Sequence, residues 1–154
     1  MRKLSLLFTL ACAVTAPVIW AGPMGIGNST QPLAFGSIVA ASAGSVTVAV
    51  NPSGRTASGG VVLLPSGTWS AASFTVTGDP SATYAITLPA NDLVALTSGA
   101  NSMAVNNFTS SPGSTGQLGG GGSQTLMVGA TLSVANNQAT GSYSGSFTVT
   151  VNYN

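Results

Sequence analysis

The chain opens on two basic residues, Arg2 and Lys3, followed by an almost wholly apolar run from Leu4 to Val14 that Pro17 breaks. Beyond Gly22 the apolar residues no longer run together; they alternate. Val46, Val48 and Val50 interleave with Ser45, Thr47 and Ala49. Ala72, Phe74 and Val76 alternate with Ser73, Thr75 and Thr77, and Tyr84, Ile86 and Leu88 with Thr83, Ala85 and Thr87. A period of two sends successive side chains to opposite faces, so each segment predicts a half-buried strand. Val61 to Leu64 is a short continuous apolar run and predicts a strand buried on both faces. Met103 and Val105 begin another strand that runs on towards Phe108. Leu126, Val128, Ala130, Leu132 and Val134 form a long stripe in which Gly129 marks a bulge. The last stripe is Tyr143, Gly145, Phe147, Val149, Val151 and Tyr153.

Turn-forming clusters separate these runs: Asn51-Pro52-Ser53-Gly54, Pro65-Ser66-Gly67, Gly78-Asp79-Pro80 and Asn136-Asn137. Ser110 to Ser123 reads as a longer loop ending in four glycines. Asn91 to Leu96 is the best helical candidate and is too short for more than one turn. About seven or eight short strands, each polar on one side, predict an all-β, antiparallel, immunoglobulin-like sandwich of two sheets.

The opening segment has the order of a secretory leader: basic, apolar, then a small residue at Ala21 before Gly22. Cleavage is expected after Ala21, giving a leader over 1–21, a short extension over 22–32 and one sandwich domain over 33–154. An uncleaved anchor is disfavoured because Ser5, Thr9, Thr15 and Pro17 dilute the run. Lipidation at Cys12 is disfavoured by the short spacing from Lys3. No second long apolar run follows, so no transmembrane helix is expected after the leader.

Composition then narrows the chemistry. Residues 22–154 hold no Cys, His, Glu or Lys, and their charged side chains are Arg55, Asp79 and Asp92 alone. Nucleic acid is excluded as a partner, because phosphate binding needs clustered cations. There is no imidazole or thiol for base or nucleophile work, and Asp79 and Asp92 lie in different loops. The expectation is a protein that is not an enzyme and needs no cofactor or metal. The Gly119–Gly122 run lacks the Lys-Ser/Thr of a phosphate loop and reads as a connection. Asp79 reads as a turn residue and Arg55 as a solvated loop charge. Trp69 either caps the core beneath the Pro65–Gly67 turn or offers its ring to a sugar. Near-zero net charge does little to oppose self-association.

The C-terminal segment carries the most information. From 143 to 153 every odd position except Gly145 is aromatic or Val, and every even position from 142 to 152 is Ser, Thr or Asn. Gly141 is fourteenth from the end and Tyr153 is penultimate. This anchored, alternating strand resembles the C-terminal signature of chaperone–usher pilus subunits. Pro32–Ile38, Ala72–Gly78, Met103–Ser110 and Leu126–Leu132, taken with Gly141–Tyr153, are similar to the bacterial secreted family catalogued as domain of unknown function 4402. That family is in turn similar to spore-coat-U-like and archaic pilus subunits. The resemblance runs in order over nearly all of Leu33 to Asn154.

The resemblance implies an exported structural subunit of a surface filament or coat, passing through the periplasm to the cell surface. It would assemble by β-strand complementation, with Gly141, Tyr143, Phe147, Val149, Val151 and Tyr153 as the assembly strand. Its implied partners are copies of itself or related subunits, a periplasmic chaperone and an outer-membrane usher. Met24 and Ile26 are the candidate donor residues. They are the only alternating pair in a short, Gly-rich segment, which departs from the longer donor such subunits carry. The alternative is a secreted carbohydrate- or surface-binding module that uses Trp69 and the 110–123 loop.

Overall fold

A computed structural model of the chain describes residues 3–4, 24–27, 29–50 and 53–154. The expected leader, its cleavage point and Cys12 lie outside the described residues, Lys3 and Leu4 apart, as do Asn51 and Pro52. In chain order the strands are β1 (Lys3–Leu4), β2 (Gly25–Ile26), β3 (Ala34–Phe35), β4 (Ile38–Val50) and β5 (Ser53–Leu63). Then come β6 (Trp69–Ser70), β7 (Ala72–Thr77), β8 (Thr83–Thr87), β9 (Val94–Ser98) and β10 (Asn101–Ser111). The last three are β11 (Thr115–Gln117), β12 (Ser123–Val134) and β13 (Thr150–Tyr153). All pairings are antiparallel, and the fold is an all-β sandwich.

The long strand β12 organises the molecule. One edge pairs with β10. Its other edge is shared: Ser123–Val128 pairs with β7, and Ala130–Val134 pairs with β4. The order β2-β7-β12-β10 matches the A-B-E-D sheet of an immunoglobulin sandwich, and β8-β13 matches its C-F pair. The facing sheet is completed by β11 on the far side of β8. A small sheet pairs β3 with β6. The hairpin β4-β5 is inserted between the A and B positions. Lys3 and Leu4 pair with Val39 and Ile38, on the stretch of β4 that runs past the end of β12.

The core follows the predicted stripes. Phe74, Val76, Tyr84, Leu126, Val128, Leu132, Tyr143, Val149 and Val151 are fully buried. Tyr84 keeps its hydroxyl satisfied by donating to Gln124 Oε1 at 2.7 Å. Burial pushes its phenol pKa above the usual tyrosine value. Several expectations need correction. Val61 is buried but Val62 is 57% exposed, so that run has one wet face rather than none. The bulge lies in β10, opposite Ala130, rather than on Gly129: Asn106 pairs with Thr131 and Thr109 with Gly129, leaving the extra residue in β10. The extra residue Asn107 takes a φ of 51°, and Asn91 Oδ1 accepts from its backbone N–H at 2.8 Å. Asn91–Leu93 is a turn leading into β9, not a helical turn. The 110–123 stretch contains β11, and its glycines form an ordered turn in which the Gly122 N–H donates to Gly119 O at 2.8 Å.

Arg55 is the largest departure. It lies in β5, not in a loop, and its guanidinium donates to Phe35 O at 2.9 Å and to Leu64 O at 2.8 Å. Nine residues of straight strand would separate Arg55 from Leu64 by about 30 Å. The hairpin therefore folds sharply back, and the register shift between Ala40 and Gly44 marks where. Gly59 and Gly60 make that corner. Gly59 takes a φ of +66°, and a Cβ on Gly60 would fall 2.0 Å from Ser42 Oγ. Burial holds the Arg55 guanidinium below the usual arginine pKa.

Candidate functional site: the C-terminal strand and its open edge

The segment from Gly141 to Asn154 buries alternate side chains throughout, as its pattern predicts. Its backbone, however, is not one continuous strand. Ser144 exchanges two hydrogen bonds with Thr97 of β9, at 2.8 and 3.0 Å. The chain then crosses the core and pairs with β8 over Thr150–Tyr153, ending with Asn154 N–H on Thr83 O at 3.2 Å. The segment thus ties the two sheets together. Gly145 breaks the aromatic-and-valine stripe for a steric reason: a Cβ there would stand 2.5 Å from Ala95 O. At Gly141 a Cβ would crowd only the Ser98 hydroxyl, at 2.6 Å, which can rotate away.

Each anchored side chain has a defined role. Tyr143 is fully buried where β12 turns towards β13. Its hydroxyl donates to Ala139 O at 2.8 Å and accepts from Gln138 Nε2 at 2.8 Å. A buried tyrosine bonding back to the chain just upstream is the tyrosine corner of immunoglobulin-like sandwiches. Phe147 is packed edge-on to Phe74, with centroids 6.3 Å apart, and tilted on Phe108 at 5.0 Å. Val149 and Val151 fill the core between the sheets. The Tyr153 hydroxyl accepts from Asp79 N–H at 2.8 Å and so pins the β7–β8 turn.

One edge of β13 is paired with β8; among the described residues no strand pairs with the other. In immunoglobulin terms this is the position of the G strand. Asn152, on β13 itself, has a buried Oδ1 with no hydrogen-bond partner. Beside the same segment, a cleft of about 310 Å³ opens between Leu88, Leu93, Val94 and Phe147. Leu93 stands at it 75% exposed.

The candidate donor residues lie elsewhere. Met24 and Ile26 are half-buried against the core of their own domain. Gly25 and Ile26 pair with Thr77 and Val76, and Gly27 N–H donates to Thr75 O at 2.8 Å. This segment is therefore the outer strand beside β7, and the structure does not bring it to the open edge of β13. Trp69 pairs with Phe35 in the small sheet and is 42% exposed. The residues 115–117 pair with β8 in a different sheet, so the two parts of the alternative binding surface are not joined by pairing. Among the described residues no group of three His, Cys, Asp or Glu side chains could hold a metal, and no helix is long and apolar enough to cross a membrane.

The fold and its open edge define the class: an antiparallel β-sandwich in which, among the described residues, six of the seven immunoglobulin positions are filled and one edge of the F strand is unpaired. The family model described as Domain of unknown function (DUF4402) matches residues 27–153, and the chain belongs to that family. No curated protein and no solved structure matches it.

The sequence had flagged the C-terminal stripe but not Arg55, Gln138 or the cleft at Leu93. Arg55 and Gln138 act through main-chain carbonyls or a single hydroxyl, which leave no periodic trace. The only signal for Arg55 was its isolation as the sole cation of residues 22–154.

Proposed function

We propose that the chain is an exported structural subunit of a bacterial surface filament or coat, and that β13 receives a strand from a partner along its open edge. The observation carrying this reading is that the C-terminal segment fixes Phe147, Val149 and Val151 in the core while, among the described residues, none pairs with the other edge of β13. An unpaired edge is a ready template for an incoming extended chain. The unsatisfied Asn152 Oδ1 and the neighbouring apolar cleft support it, since an acceptor and a pocket are what an added segment would use. The partners are related subunits or further copies, with a periplasmic chaperone and an outer-membrane usher handling delivery. Met24 and Ile26 already serve β7 in their own domain, so they act as donor only by exchange, remaking the same contacts in a neighbouring copy.

The test is electrophoresis in SDS of cell-surface extracts, with and without boiling, probed for this protein. A ladder that collapses on boiling is expected. The same ladder should vanish for Val151→Asp, which puts a charge into the core beneath the receiving strand. A lone monomer band in both lanes for the wild type would overturn the proposal. The half-exposed ring of Trp69 favours a second reading, a carbohydrate-binding module. A glycan array should then give a signal that Trp69→Ala abolishes.

A further inference from the structure

The longest unpaired edge is not β13 but β5. Ser53–Leu63 pairs with β4, and among the described residues nothing pairs with its other side. Natural sheet edges are protected by Lys, Pro, inward charges or very short strands. From Thr56 to Ser58 β5 has none of these. It carries no Lys, Pro or acidic residue, and its one charge, Arg55, is tied to Phe35 O and Leu64 O. Thr56, Ala57, Ser58 and Gly59 are all exposed.

We infer that β5 is a contact surface for a second copy of this chain, the two β5 strands pairing antiparallel about a two-fold axis. Four observations single out that occupant. An antiparallel edge is complementary to itself, so one copy presents every donor and acceptor that the other needs. The one charge in the segment, Arg55, is held by Phe35 O and Leu64 O of its own copy. From Thr56 to Gly59 the residues are Thr, Ala, Ser and Gly, so the edge offers little side-chain shape with which to select a foreign sequence. The outer face also continues smoothly: Ser58 meets Ser45, hydroxyl to hydroxyl, at 2.8 Å, and Thr47 meets Thr131 at 2.9 Å. Joining two such sheets extends an uncharged polar row that stays hydrated. The corner at Gly59–Gly60 ends the straight part of the strand and so limits the contact to Ser53–Gly59.

A short, backbone-only contact is weak between free subunits and effective between tethered ones, which makes it a lateral contact. It uses no residue of β13, and at high protein concentration it needs no tether, so its test is separate from that of the strand-receiving role.

The experiment is disulfide cross-linking, at high protein concentration, of the full-length protein with Cys12 replaced by Ser, carrying Thr56→Cys, Ala57→Cys or Ser58→Cys in turn. Ala100→Cys, in the turn between β9 and β10, is the exposed control. Dimer formation should peak at one of the three positions, at a rate at least about tenfold above the control because pairing raises the local thiol concentration. Arg55 is engaged and no other charge is near, so added salt should not change the rate. Placing Lys at a neighbouring edge position should return it to the control rate, with the circular dichroism spectrum unchanged. Equal rates at all three positions and at Ala100 would overturn the inference.

Discussion

Replacing Arg55 by Met removes the two bonds that hold the folded-back hairpin, at 2.9 Å to Phe35 O and 2.8 Å to Leu64 O. Hydrogen bonds from a charged donor are each worth about 1.5–3 kcal/mol when well shielded. Arg55 is half-buried, so water can re-solvate both carbonyls, and about half of that value is retained. The expected loss is about 1.5–3 kcal/mol, a fall in Tm of about 5–12 °C for a domain of this size. Met keeps most of the aliphatic stem, so lost packing contributes little. Arg55→Lys should fall between, since one ammonium on a flexible stem cannot match the planar fork that spans two acceptors. The assay is thermal and urea unfolding of the three proteins side by side. If Arg55 were a solvated surface charge, both variants would stay within about 0.5 kcal/mol of the wild type. That result, or a Lys variant as stable as the wild type, would refute the clamp.

Phe147→Ala should cost about 3–5 kcal/mol in urea unfolding, because a buried ring wedged between Phe74 and Phe108 leaves a cavity. A loss under about 1.5 kcal/mol would mean that the C-terminal segment is only loosely docked. Tyr143→Phe removes a fully buried hydroxyl that serves Ala139 O and Gln138 Nε2, and should cost about 1–3 kcal/mol with the fold retained by circular dichroism. Stability should be flat through neutral pH, since the chain has no His. It should decline under alkali. The folded state holds the Tyr84 proton more tightly than the unfolded chain does. Its contribution is whole below the ordinary tyrosine pKa of about 10 and is lost as pH rises through the higher folded value. A stability maximum above that pH would contradict the direction.

How much of this the sequence carried depended on whether a segment has one dry face. β7, β8, β12 and the C-terminal stripe were legible because Phe74, Tyr84, Leu132 and Val151 each recur on the buried side of an alternation. β5 was not legible. From Gly54 to Gly60 its residues have no apolar period, because most of that stretch is exposed, and it is held as a strand by pairing with β4 alone. β9 carries the right alternation in Val94 and Leu96 but is preceded by Leu93, which is exposed, and the mixture imitated a helical turn. Gly145 looked like a flaw in the last stripe. Only the approach of Ala95 O explains it, and that contact joins residues fifty apart in the chain. The candidate site was half readable for the same reason. The alternation gave the buried face of β13, while the state of its edge depends on which strands the rest of the chain places beside it.

The two open edges differ in what a partner would gain, and that difference orders the proposed contacts. Beside β13 lie an unsatisfied buried acceptor at Asn152 and a cleft lined by Leu88, Leu93, Val94 and Phe147. A strand seated there adds apolar burial to its backbone bonds, at about 25 cal/mol per Å². Beside β5 stand the small, exposed Thr56, Ala57 and Ser58, so a strand there gains backbone bonds and little burial. Net values of about 0.5–1.5 kcal/mol per hydrogen bond, set against several kcal/mol of association cost, leave such a contact near balance on its own. Subunits already joined through β13 no longer meet that cost in full, so their β5 edges pair at concentrations where free subunits would not. A Val151→Asp variant that folds should therefore lose β5 cross-linking at low concentration and regain it at high concentration. The Ala57→Lys variant should keep its heat-labile ladder while losing lateral association. The opposite pattern, with Ala57→Lys destroying the ladder, would show that β5 and not β13 is the primary joint.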